Sequence, residues 1–244
     1  MKRIVLLLAL CCVALVSVWS LEIKDGRIKL IIDERTGRFS VYYLSDAAKG
    51  SYQSLLYDQE TRTSYATLYM DQRAYKLGEA SDFRVSVTKD SSGALVVYRS
   101  SACVVNVRFS VIASQSGIKD SLSVTYTIEN VSERELSLGL RMLLDTWLGE
   151  KSGKHFSSQT RGELSFEALL SDDYTDQWIR SGSDGSSLLQ VTLSAPATRP
   201  DRVIAANWKR LNDAAWMMET SATRNFTLLP YSINDSALAL YWDP

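Results

Sequence analysis

Between residues 119 and 150 apolar and polar side chains alternate almost without a break. Leu122, Val124, Tyr126 and Ile128 alternate with Ser121, Ser123, Thr125, Thr127 and Glu129. After a polar interruption at 130–134, Leu136, Leu138, Leu140, Met142 and Leu144 alternate with Ser137, Gly139, Arg141, Leu143 and Asp145. Side chains along a strand point to opposite faces with period two, so each run has one face to bury and one to wet. Two such runs joined by a short polar loop predict a long β-hairpin.

The same pattern, in shorter pieces, runs through the rest of the chain. Ile28, Leu30 and Ile32 alternate with charged neighbours, and 33–37 supplies turn chemistry with Gly37 free to take positive φ. Phe39, Val41 and Tyr43 then read as the return strand. Residues 47–63 are polar and irregular around Leu55-Leu56-Tyr57, which predicts a surface loop, and 65–70 with 73–76 predict a hairpin turning at Asp71-Gln72. Strands are expected at 83–89, 94–100 and 102–113. Beyond Trp147 the texture loosens. A polar loop at 149–162 holds His155, the one histidine, a short strand follows at 164–170, and 171–185 is acidic and rich in glycine and serine. Strands return at 188–193, 226–229 and 237–242, and 205–216 carries Trp208, Leu211 and Ala215 at helical spacing. Consecutive strands at short spacing with polar turns predict a mostly β fold, an antiparallel β-sandwich with at most one or two short helices, in a single domain over 21–244.

The chain opens Met1-Lys2-Arg3, continues apolar from Ile4 to Val16, and then offers Val18 and Ser20 as small residues before a cut. That is the plan of a secretory signal peptide over 1–20, and it places the protein in the periplasm or outside the cell. The apolar run is too short for an ordinary membrane span, so no span is expected after cleavage. Two of the 27 basic residues, Lys2 and Arg3, leave with this leader, against 28 acidic ones. A mildly acidic chain without a basic block is not expected to bind nucleic acid. Cys103 alone survives processing, so no internal disulfide forms; alternating with Val105, Val107 and Phe109, it reads as a small buried hydrophobe.

The run Gly139-Leu140-Arg141-Met142-Leu143-Leu144-Asp145-Thr146-Trp147-Leu148-Gly149, and the closing segment from Asp235 to Pro244, resemble secreted bacterial β-sandwich domains related to the galactose-mutarotase-like supersandwich. The resemblance implies a supersandwich fold and an extracytoplasmic setting. It does not extend to mutarotase activity, because such enzymes need more than one positioned histidine. After Gly149 this chain has Glu150-Lys151-Ser152-Gly153-Lys154 where those domains carry denser Asp/Asn loops.

Several residues have the chemistry for a site. His155 with Asp145 or Glu150 and Ser152, Ser157 or Ser158 contains the types of a hydrolytic triad, though no Gly-x-Ser-x-Gly elbow accompanies them. Asp172, Asp173 and Asp176, with Asp184, form an acidic stretch of the kind glycoside hydrolysis or calcium would use, without the spacing of an EF-hand. One cysteine and one histidine do not make a structural zinc site, and no metal or other cofactor is expected. All mature tryptophans lie after the alternating runs, and Trp178 and Trp208, in polar surroundings, are the best placed to meet a sugar or a protein. Arg141 and Asp145 share a strand face roughly 13 Å apart, so each needs its own partner if that face is buried. The expected ligand-binding set is therefore Trp178, Trp208, Arg141, Asp145, His155 and Asp173. The functional expectation is an exported, non-catalytic protein with an interaction or structural role, its partner an envelope or appendage protein. A carbohydrate-binding module is the first alternative and a glycoside or other hydrolase the second. The ending at Pro244 also suggests an open sheet edge at the last strand, which a partner strand would complete.

Overall fold

A computed structural model describes residues 20–57, 61–114, 116–150, 152–171, 173–182 and 187–244. The leader expected at 1–20 lies, but for Ser20, outside them. In chain order the strands are β1 (Ser20–Asp25), β2 (Ile28–Asp33), β3 (Phe39–Asp46), β4 (Ser51–Ser54), β5 (Tyr65–Met70), β6 (Arg73–Lys76), β7 (Arg84–Asp90), β8 (Gly93–Arg99), β9 (Cys103–Ala113) and β10 (Lys119–Asn130). They continue with β11 (Leu138–Thr146), β12 (Phe156–Ser158), β13 (Gly162–Leu164), β14 (Ala168–Ser171), β15 (Trp178–Ser181), β16 (Leu189–Thr192) and β17 (Arg202–Asn207). The helix α1 (Trp208–Asp213) follows, and β18 (Ser236–Trp242) closes the series.

The mostly β expectation holds, and the sandwich does not. The strands form four antiparallel sheets, ordered β1-β2-β3-β4, β10-β9-β8-β7, β14-β17-β18-β11-β5-β6 and β13-β12-β15-β16, set out like the four blades of a small propeller. The six-stranded sheet shows why two layers do not suffice. One face carries Leu68, Leu140, Met142, Val203, Leu238 and Leu240 into the main core; the other carries Tyr65, Leu143, Ile204, Ala237, Ala239 and Tyr241 into a second core beneath α1. A sandwich sheet alternates apolar inside with polar outside, whereas β5, β11, β17 and β18 are buried on both faces. Period-two alternation says that a strand has an inside; it does not say how many sheets share that inside.

The long hairpin is the second correction. β10 pairs with β9, setting Val124 against Phe109 and Tyr126 against Val107, while β11 lies between β5 and β18 in another sheet. The two runs meet through side chains instead, with the Tyr126 hydroxyl donating to Met142 Sδ at 3.3 Å. The open edge expected at the chain's end is also absent, because β18 is flanked by β11 and β17. β14 and β6 are the edges of that sheet.

Elsewhere the short-range signals serve well. β2–β3 and β5–β6 are the expected hairpins, Asp71 and Gln72 turning with φ of 48° and 68° and Gly37 with 69°, and the strands expected at 83–89 and 94–100 pair as β7–β8. Cys103 is fully buried. The irregular stretches conceal more order than expected: 47–63 contains β4, 149–162 contains β12, and 171–185 contains β15. The stretch 164–170 is split between β13 and β14, and 226–229 makes only a bridge, Leu228 to Ser232.

The helix is short and held from outside. Asn207 caps it by accepting from Arg210 N. Its far end rests on Arg141, whose Nη1 donates to the carbonyls of Leu211, Ala214 and Trp216 at 3.3, 3.0 and 3.1 Å, and whose Nη2 donates to Thr67 Oγ1. Carbonyls left over at a helix end need donors, and a cation there also meets the negative end of the helix dipole. Arg141→Leu removes the donors and leaves buried carbonyls unsatisfied. A loss of about 3 kcal/mol in unfolding free energy by urea titration is expected, with Arg141→Lys between the two because an ammonium does not reproduce the fork.

Candidate functional site

The face of β11 that carries Arg141 also carries Leu143 and, at its far end, Asp145. Asp145 lies opposite Ala237 of β18, so Asp235, two residues earlier, falls on the same side at the same end. Glu150 returns to this point through the turn after β11 and accepts at Oε1 from Ser236 N, 3.2 Å away. Carboxylate oxygens of Asp145, Glu150 and Asp235 thus lie within 4.8 Å of one another. Asp145 is buried, 3% exposed, and its Oδ1 has no hydrogen-bond partner. The other two are half-buried.

Removal from water raises all three carboxyls. Burial pushes Asp145 up to about 7, against the opposing pull of the Thr63 hydroxyl. Burial likewise pushes Glu150 up to about 8, despite the Ser236 N–H, and raises Asp235, despite the Ser232 hydroxyl. Neighbouring negative charge within the group adds to the rise at Asp145 and Glu150. Among the described residues no lysine or arginine forms an ion pair with any of them.

Other buried acids in this protein are treated differently. Glu167 accepts from Arg210 Nη1 at 2.8 Å, from Arg224 Nη2 at 2.9 Å and from Ser221 N at 3.0 Å. Asp176 accepts from both the backbone N–H and the hydroxyl of Thr160 at 2.7 Å. These are structural acids with their charge answered. The group around Asp145 is not.

The expected site residues do not come together. Arg141, fully buried, is spent on backbone carbonyls and takes no part in a surface site. Asp145 is buried as well, but inside the acidic group. His155 is 5% exposed, lies tilted against Phe226 with ring centroids 4.4 Å apart and leaves Nδ1 without a partner. Ser152 donates to the Gly149 carbonyl, and Ser158 Oγ accepts from Arg161 N, so neither hydroxyl is set against the imidazole. Asp173 is exposed; Asp172 and Asp184 lie outside the described residues. Trp178 is half-buried with the Arg180 guanidinium 4.0 Å over its ring, and Trp208 packs on the second core with Nε1 donating to the Thr63 carbonyl at 3.0 Å. Both indoles therefore have intramolecular work.

Two features escaped sequence reasoning. Asp235 was visible only as part of a closing motif, since its approach to Asp145 depends on β18 pairing with β11. The other is the turn at 228–233, where Leu229, Tyr231 and Ile233 are 71%, 69% and 72% exposed. An available signal was Asp145 itself, an acid on the same strand face as Leu143.

His155 gives a pH signature. Burial lowers its pKa, so the folded protein takes up the imidazole proton less readily than the unfolded chain. That contribution to stability is complete above the unfolded value of about 6.5 and is lost as pH falls through the lower folded value. The raised carboxyls of Asp145 and Glu150 act with the opposite sign over the same range, so the histidine is read as a difference. In thermal melts followed downward from neutral pH, wild type should lose stability relative to His155→Phe, which keeps a ring beside Phe226, and a difference that does not change with pH would refute the assignment. Compared with known proteins, the chain matches no protein-family model and no curated protein.

Proposed function

We propose that this is an exported, non-catalytic protein that works by docking onto another protein of the cell envelope or of an extracytoplasmic appendage. The observation that carries this reading is the 228–233 turn. Three large side chains, Leu229, Tyr231 and Ile233, are exposed within five residues, Tyr231 with the Lys209 ammonium 5.2 Å from its ring. Single exposed hydrophobes are ordinary; three within one short turn mark a contact surface.

The turn is also pre-shaped. Ser232 N and Tyr231 N both donate to Leu228 O, and Leu228 N donates back to Ser232 O. Asn207 Nδ2, fully buried at the cap of α1, donates to the carbonyls of Phe226 and Asp235 and to Ser232 Oγ, gripping both legs of the loop. A protrusion fixed before contact loses little conformational entropy on binding, which favours a protein partner. The glycan alternative asks for an open indole face, and Trp178 has its ring under Arg180.

Ile233→Asp or Tyr231→Ala should leave the melting midpoint nearly unchanged, within about 0.5 kcal/mol in stability, because neither side chain is packed in the core. A photo-crosslinking side chain placed at position 231 in the exporting cell should yield one discrete protein adduct that Ile233→Asp abolishes. No adduct, or an adduct unaffected by Ile233→Asp, would refute the reading.

A further inference from the structure

We propose that Asp145, Glu150 and Asp235 form a binding site for a calcium ion. Three carboxylates converge where the end of β11, the turn behind it and the start of β18 meet, with oxygens within 4.8 Å of one another. An acidic group alone would not suffice, since wet acidic patches are common. Here one member, Asp145, is 97% removed from solvent, and its Oδ1 has no hydrogen-bond partner within bonding distance, the Thr63 hydroxyl that pulls on this carboxyl being itself unpaired. Leaving a buried oxygen unsatisfied is costly, and leaving a buried carboxylate without a counter-charge costs more. The protein answers Glu167 with two arginines and Asp176 with Thr160, so its own practice is to supply partners. At Asp145 only the Thr63 hydroxyl pulls on the carboxyl and, among the described residues, no cation answers it.

Ligand chemistry narrows the choice. The donors are all carboxylate oxygens, which suit hard divalent ions rather than zinc or copper. Calcium takes oxygens at about 2.3–2.6 Å in flexible arrangements, so two ligands of one ion stand up to roughly 5 Å apart, as the spacing here allows. Magnesium, at about 2.0–2.1 Å with strict octahedral geometry, would require a tighter set wherever the oxygens stand at the limit of that spacing. Glu150 and Asp235 are half-exposed and provide the way in, with room for water as further ligands. The inference stands independently of the docking surface.

Isothermal titration of the EDTA-stripped protein with calcium chloride tests this, with a parallel thermal melt. The expected result is saturable binding of one ion per chain and a melting temperature that rises with calcium concentration. Asp145→Asn should abolish both effects. Glu150→Gln, at a half-buried position, provides a second variant should Asp145→Asn fail to fold, and it should weaken binding at least about tenfold by removing a ligand. Asp173→Asn, at an exposed acid, should bind as wild type. Absence of calcium binding at millimolar concentration, or binding equal to wild type in Glu150→Gln, would overturn the assignment. Tighter binding of magnesium than of calcium would overturn the choice of ion.

Discussion

A guanidinium shut away from water must find oxygen inside the protein, and the last third of this chain is arranged around meeting that need for Arg141. Its strand, β11, is the middle of the largest sheet, with β5 on one side and β18 on the other. The side chain crosses into the layer above and collects three carbonyls from the end of α1 and the segment after it. Trp216, fixed by that contact, stacks on Tyr69 and meets the edge of Tyr241, whose hydroxyl also donates to the Trp216 carbonyl. A single charged residue thus fastens a loosely patterned segment onto the back of a sheet. Without that cover, Leu143, Ala237, Ala239 and Tyr241 would face water.

That cover also creates the chemistry. The same face, followed along β11 to its far end, brings Asp145 into the protein with no arginine to meet it. At one end of the face a cation is met by carbonyls; at the other a carboxyl is left to the company of two more carboxyls. Both ends depend on one register, Arg141 opposite Tyr241 and Asp145 opposite Ala237. A shift by one residue would turn both charges to the opposite face and leave neither arrangement standing. The clamp at Asn207 belongs to the same construction, since one amide holds the legs of the apolar turn and the carbonyl of Asp235.

The chain by itself determined its local structure. Alternation marked most strands of the first half, and Asp71-Gln72 and Gly37 punctuated them, because turn geometry is decided within four residues. It also marked Cys103 as core and 205–216 as the place for a short helix, though 205–207 finish β17 and the helix is only Trp208–Asp213. Partner choice it did not determine. The runs around Tyr126 and Met142 are neighbours in sequence and carry matching patterns, yet they lie in different sheets and touch through side chains. Nothing in alternation separates pairing edge to edge from stacking face to face, which is why a hairpin and a two-sheet sandwich were expected where four sheets form. Asp145 stood out on its apolar strand face, but its companions did not: Asp235 is ninety positions away and reaches it only through the pairing of β18 with β11. Local energetics is written in short stretches of sequence, whereas the meeting of distant strands is settled by how all the oily faces can be covered at once, and that sum is taken only over the folded molecule.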